Sequence, residues 1–236
     1  MSQLVLALDA LYALRDAAPS RELDPVAAVK LAELAGADAV RVGVGEGLHA
    51  VRESDAHELR RVARTLEVKV APGSVGLKVA LEVRPDRVLL ASAGRAGVPG
   101  WGVLDLGAGD AGLGPTLRAL GEAGIPAYAA VAPDVDAVKA AHAAGFAGVE
   151  LFTAHAVDLP PVPRGAVLER LGDAARLAAK LRVPVSLGGG LDERSLAEVA
   201  ARAPAAERIA IGRALLARAL LVGIERALRD LRARLR

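Results

Sequence analysis

Apolar and polar positions follow two periods that alternate along this chain. Short runs rich in valine, isoleucine, leucine and alanine recur at residues 4–8, 39–44, 67–71, 87–91, 127–131, 148–152, 184–188 and 208–211. Each has the length and β-branched character of a strand. Between them lie stretches with apolar residues at helical spacing, such as PVAAVKLAELAG after Asp24 and PDVDAVKAAHAAG after Ala132. Punctuation agrees: Asp24 followed by Pro25 reads as a helix cap with proline at the first helical position, and Gly36 as the stop. Asp134 with Gly145 repeats this pattern, and Ser54 reads as the cap of DAHELRRVAR.

Short connections from helix to strand place successive strands parallel and adjacent. Eight such units in 236 residues predict a closed (β/α)8 TIM barrel, an α/β fold forming one domain over residues 1–236. An open doubly wound sheet is the alternative.

The rhythm breaks once. Residues 92–115 hold eight of the 25 glycines and the lone Trp101. Loops that long inside a compact domain are commonly functional, so a glycine-rich lid after strand four is expected, with Trp101 as its lid residue. An exposed tether whose tryptophan packs on the barrel rim is the alternative. Residues 214–236 read as one amphipathic C-terminal helix carrying Arg218, Arg226, Arg229, Arg232, Arg234 and Arg236, a solvated basic face.

Composition narrows the function. At 53% hydrophobic and 25% charged the chain buries a core and is not disordered. One Trp, two Tyr and two Phe give no platform for stacking bases, and a net charge of +2 spread along the chain gives no polyanion patch, so no nucleic-acid partner is expected. The absence of cysteine removes thiolate nucleophiles, zinc–cysteine sites and iron–sulfur clusters. No segment approaches the roughly 18 to 20 apolar residues of a membrane span, and MSQLVLALDAL lacks a basic leader; a cytoplasmic protein without a membrane partner is expected. The four histidines, at 49, 57, 142 and 155, show no metal-site spacing, and neither metal nor cofactor is expected.

In a barrel of this kind the chemistry sits where strands end, and phosphate is commonly held by the loops after strands seven and eight. Strand seven runs into Gly188, Gly189 and Gly190; strand eight runs into Gly212 and Arg213. Glycines let backbone N–H groups approach an anion, and the following helix adds a favourable dipole, so a small phosphorylated ligand is expected here. Other polar residues near strand ends are Asp9, Arg41, Glu46, Lys69 and Glu150. Lys69 is the one lysine of five on a strand. Burying it unpaired is costly, so it should face the barrel mouth and meet a carboxylate, Glu150 or Asp9. It reads either as a Schiff-base or general-base lysine, or as an internal ion pair plugging the barrel.

The segments LDALYALRDA, LDPVAAVKLAELAGADAV, LGEAGIPAYAAVAPDVDAVKAAHAAGFAGVELFT, VSLGGGLD and IAIGRALLARALLVGIERALRDLRARL carry an end-to-end resemblance to the pyridoxine phosphate synthases. These are vitamin B6 pathway barrels that join aminoacetone phosphate to 1-deoxyxylulose phosphate. The resemblance implies the same fold, a phosphate site and a homo-oligomer. It also implies reactive residues that this chain mostly lacks. The opening strand keeps only Asp9, between Leu8 and Ala10, with Ala7 where the family has asparagine. Gly43, Gly45 and Ala50 stand where the family has His, Arg and His. Lys69 replaces the catalytic glutamate, Phe152 and Gly189 replace histidines, Arg213 replaces a ligand-binding histidine, and the lid threonine falls at Pro99 or Gly100; Glu150 is kept.

The expectation is therefore a family-like barrel that retains phosphate binding but has lost the ancestral condensation and ring closure: a pseudoenzyme, a phosphate-ester binder or a repurposed enzyme. Three alternatives stand beside it. These are an active pyridoxine phosphate synthase using substituted residues, a Schiff-base lyase or aldolase built on Lys69 with Glu150 or Asp9 moving protons, and a structural oligomer subunit.

Overall fold

A strand in a closed parallel barrel is buried twice, by helices outside and by side chains inside, which is why the runs are apolar at nearly every position. The computed structural model describes residues 2–18, 22–45, 51–93, 100–107, 112–157 and 159–235. In chain order its elements are β1 (Gln3–Ala7), α1 (Asp9–Ala17), α2 (Pro25–Leu34), β2 (Ala39–Gly43), α3 (Glu53–Val62), β3 (Leu66–Val70), α4 (Val75–Val83) and β4 (Arg87–Leu90). Then come β5 (Ser92–Ala93), β6 (Trp101–Gly102), α5 (Leu113–Glu122), β7 (Ala127–Val131), α6 (Val135–Ala143), β8 (Gly148–Phe152), α7 (Ala154–Val157) and α8 (Pro161–Lys180). The chain finishes with β9 (Val185–Gly188), α9 (Leu196–Arg202), β10 (Arg208–Ile211), α10 (Arg213–Val222) and α11 (Ile224–Ala233).

Eight strands close in the order β1-β10-β9-β8-β7-β4-β3-β2, every neighbouring pair parallel. The (β/α)8 barrel is therefore the fold, and the open sheet is excluded. Alternate residues point inward: Val5, Ala39 and Ala210 pack together inside the ring, as do Leu89, Ala91, Tyr128 and Ala130. The outward positions, including Leu4, Val40, Val68 and Leu187, join the helices in the larger core.

Helix starts behave as the capping signals require. The Asp24 carboxylate accepts from the N–H of Val26 at 2.8 Å, and that of Asp134 from Ala137 at 2.8 Å. Ser54 is not a cap: α3 begins at Glu53, and Asp55 accepts from the N–H of Arg52 at 3.3 Å.

Two further expectations are corrected. The C-terminal segment is two helices, because Gly223 has φ 82° and ψ 151°, a conformation that leaves the helical path. Its basic face is largely neutralised within the chain: Arg218 meets Glu193 and Asp230, Arg229 meets Glu225, Arg232 meets Asp38, and Arg234 meets Glu193. Of the glycine-rich connection expected over 92–115, residues 94–99 and 108–111 lie outside the described residues, and Leu113–Pro115 already belong to α5. What is described includes an antiparallel pair, β5 with β6, that puts Ala93 opposite Trp101. Among the described residues no helix is long and apolar enough to cross a membrane.

Candidate functional site

Inward-facing charge is concentrated on five strands, β2, β3, β4, β8 and β10. Register places Arg41 of β2 beside Glu67 of β3, and Glu67 beside Arg87 of β4. Arg41 grips Glu67 Oε2 through Nε at 2.8 Å and Nη2 at 2.7 Å, and reaches across the ring with Nη1 to Glu150 Oε2 at 2.6 Å. Arg208 of β10 binds the other oxygen of Glu67, and Arg87 Nε stands 3.8 Å from it. Arg87 also donates to Ser186 Oγ at 3.2 Å and stacks on the Tyr128 ring at 3.6 Å. Burial alone would raise the Glu67 carboxyl, but Arg41, Arg208 and Arg87 outweigh it and hold the group below the usual carboxylate range. Burial lowers the Arg41 guanidinium, yet Glu150 and Glu67 more than offset this. At Arg87 burial prevails, and its pKa falls below the ordinary arginine value.

The next inward position, toward the strand ends, holds a different cluster. Lys69, next to last in β3, lies beside Gly43 in register, and its Nζ is 3.2 Å from Asp9 Oδ2. The other oxygen of Asp9 accepts from the N–H of Gly43 at 2.7 Å, so the carboxylate is fixed by backbone as well as by charge. The Trp101 indole covers the pair, with its ring 5.1 Å from Lys69 Nζ, and packs on Leu89, Ala91, Tyr128 and Ala130.

Beside this cluster, β9 and β10 end as neighbours. Gly189 and Gly190 have φ of +91° and +76°, so the turn after β9 needs glycine for its backbone path alone. Thr153, fully buried after β8, ties this turn down: its hydroxyl donates to the carbonyl of Gly188 at 3.0 Å and to that of Gly189, and its N–H bonds Gly188 at 2.8 Å. Asp192 Oδ1 then accepts from the N–H groups of Arg194 and Ser195 and from the Ser195 hydroxyl, closing the turn into α9. Burial would raise the Asp192 carboxyl, but these donors keep it below its ordinary value. Gly212 precedes the first turn of α10, and Arg213 opens that helix with an exposed side chain.

The residues expected to meet are thus only partly brought together. Lys69 pairs with Asp9 and not with Glu150, which Arg41 engages. The Glu150 carboxylate also lies where a β-carbon on Gly188 would come within 2.4 Å of Oε1, so the first glycine of the triplet has a packing role. Glu46 and His49 lie outside the described residues. Sequence reasoning missed the roles of Glu67, Arg87, Arg208, Thr153 and Gly43. Charged residues at alternate positions of a barrel strand were the available signal for the first three. Among the described residues one group has metal-ligand geometry, Glu53, His57 and Glu82 on the outer faces of α3 and α4. His57 Nε2 stands 3.9 and 3.7 Å from the two carboxylates, consistent equally with an exposed ion-pair cluster.

Comparison with solved structures agrees with this architecture. A thiamine phosphate pyrophosphorylase from Pyrococcus furiosus superposes with a TM-score of 0.62 at 18% identity, covering 99% of this chain and 95% of that one. A phosphoribosyl anthranilate isomerase from Thermococcus kodakaraensis gives 0.63 at 13% identity, covering 100% and 99%. At such identities the likeness is one of fold. Sequence relatives are closer. A pyridoxine 5'-phosphate synthase from Geobacter metallireducens is 34% identical over 233 residues, 98% of this chain and 97% of that protein. One from a Synechococcus strain is 34% identical over 234 residues, 98% of each. The family model described as pyridoxal phosphate biosynthesis protein PdxJ matches residues 4–236, and the chain belongs to that family.

Proposed function

We infer that this PdxJ-family barrel binds a small phosphorylated compound on the turns after β9 and β10, and that it does not perform the family's condensation and ring closure. The observation that carries this reading is the content of the mouth: a Lys69–Asp9 ion pair under Trp101, beside Gly43. The family resemblance calls for histidines and a glutamate at Gly43, Lys69, Phe152 and Gly189. Each positioned acid or base contributes about 10²- to 10⁴-fold to a proton-transfer step, so their joint replacement removes that chemistry. Anion binding is separable from it, because backbone N–H groups at glycines and a helix N-terminus need no side chain. The exposed guanidinium of Arg213 supplies a charge-assisted partner.

Calorimetry with pyridoxine phosphate, 1-deoxyxylulose phosphate and inorganic phosphate tests the binding. Heat from the esters and from phosphate is expected, and no heat or thermal shift from any of the three overturns it. Failure of the soluble protein to rescue a vitamin B6 auxotroph is expected, and rescue overturns the loss of chemistry.

A further inference from the structure

We propose that Lys69 is a nucleophilic amine that captures the carbonyl carbon of a small phosphorylated aldehyde or ketone as an imine, with Asp9 carrying the protons. This rests on the reading that the mouth takes a phosphorylated ligand. It adds the functional group that reacts.

The inward-facing cations are held in different ways. Arg41 meets two carboxylates and Glu67 meets three guanidinium groups, an interlocked set with no group facing the mouth alone. Lys69 lies one inward position nearer the strand ends and has, among the described residues, one acidic partner, a single oxygen of Asp9 at 3.2 Å. That carboxylate is held by the Gly43 N–H through its other oxygen, so it stays in place when the lysine nitrogen turns toward a ligand. The side chain of Lys69 is 12% exposed, in contrast to Lys30, Lys78, Lys139 and Lys180, which are all exposed on helices. Trp101 and the apolar wall beneath it shield the amine from bulk water. A lysine amine in a partly desolvated pocket beside a fixed proton acceptor is the arrangement that carbonyl capture requires.

The step balances without a further reactant. Lys69 passes one ammonium proton to Asp9, and the freed nitrogen pair forms a C–N bond as the carbonyl π pair moves to oxygen. Asp9 returns that proton to the oxygen, giving a carbinolamine whose nitrogen still carries the positive charge. A second proton then moves from nitrogen through Asp9 to the hydroxyl as water departs with the C–O pair. The iminium keeps the positive charge the ammonium carried and Asp9 ends as the carboxylate, so ammonium plus carbonyl becomes iminium plus water with no outside proton.

The test is borohydride trapping of the full-length protein with glyceraldehyde 3-phosphate or 1-deoxyxylulose 5-phosphate, followed by peptide mass mapping. The expected result is a Lys69 peptide heavier by the probe less one oxygen, competed away by inorganic phosphate and lost in Lys69→Met. Lys69→Met should give the circular dichroism spectrum of the unaltered protein, which shows that it is folded. Labelling of Lys69 no greater than that of the four exposed lysines overturns the proposal. If phosphate heat persists in that case, the binding reading stands without it. If Lys69 is labelled but phosphate neither binds nor competes, carbonyl capture stands and the binding reading falls.

Discussion

Gly43 and Trp101 share one volume: a β-carbon on Gly43 would stand 2.4 Å from the indole Nε1 and 2.6 Å from two ring carbons. Neither residue can be read alone. The tryptophan closes over Lys69 because the neighbouring strand offers it a position without a side chain. Gly43→Ala should displace the ring and destabilise the protein by about 1–3 kcal/mol, the usual range for overpacking. Since Trp101 is the only tryptophan, its emission should move to the red in Gly43→Ala. Unchanged emission would mean that the strand, and not the ring, gives way.

Glu67→Gln should be among the most destabilising single changes. It leaves Arg41, Arg87 and Arg208 inside the barrel with Glu150 as the remaining carboxylate of the network. Breaking a buried ion pair from one side costs about 3–5 kcal/mol, measurable by urea unfolding. Arg41→Met combined with Glu67→Leu should cost less than the two single losses added together, because paired charges are removed together.

The same carboxylate sets an acid limit. Burial pushes its pKa up but three arginines push it further down, so the folded value lies below the reference of 4.5. A depressed folded pKa gives stability that is fully present above 4.5 and is lost as pH falls through the folded value. Unfolding midpoints measured downward from pH 6 should therefore hold until about 4.5 and then decline, and Glu67→Gln should flatten that decline.

Thr153→Val keeps the shape of a fully buried side chain but removes the hydroxyl that binds the carbonyls of Gly188 and Gly189. The Gly188 carbonyl keeps the Thr153 N–H, but that of Gly189 loses the hydroxyl, a loss of about 1–3 kcal/mol. Phosphate affinity should fall with it, because the turn that carries the glycines loses its anchor. Equal affinity in the variant, read by calorimetry, would place the anion elsewhere.

Arg213→Ala separates charge from fold. The side chain is exposed and has no ion-pair partner among the described residues, so the unfolding free energy should stay within about 0.5 kcal/mol of the parent. Phosphate-ester binding should weaken by about 1.5–3 kcal/mol, the net worth of a charged hydrogen bond.

The barrel was legible because double burial makes its strands mostly apolar over four or five residues, and the capping residues Asp24 and Asp134 mark helix starts in a purely local way. Lys69 stood out for the same reason, a charge in an apolar run. Its partner did not: Asp9 lies two residues past β1 and Glu150 in the middle of β8, and ring closure decided that Arg41 would take the second. The charged network was hidden because Arg41, Glu67, Arg87 and Arg208 come from four separate strands and meet only when the ring closes. Gly223 was a missed local signal, a glycine between two helical patterns that do not join.

The ring's last seam has a consequence for how the molecule comes into being. Gln3 to Leu6 pair with Arg208 to Ile211, and the Ser2 hydroxyl bonds the carbonyl of Ala206, 204 positions away. During synthesis the first strand must therefore wait with one edge open until β10 has left the ribosome. The slowest step of maturation should be the docking of β10 between β1 and β9, and conditions that delay translation of the segment carrying β10 should favour aggregation over assembly.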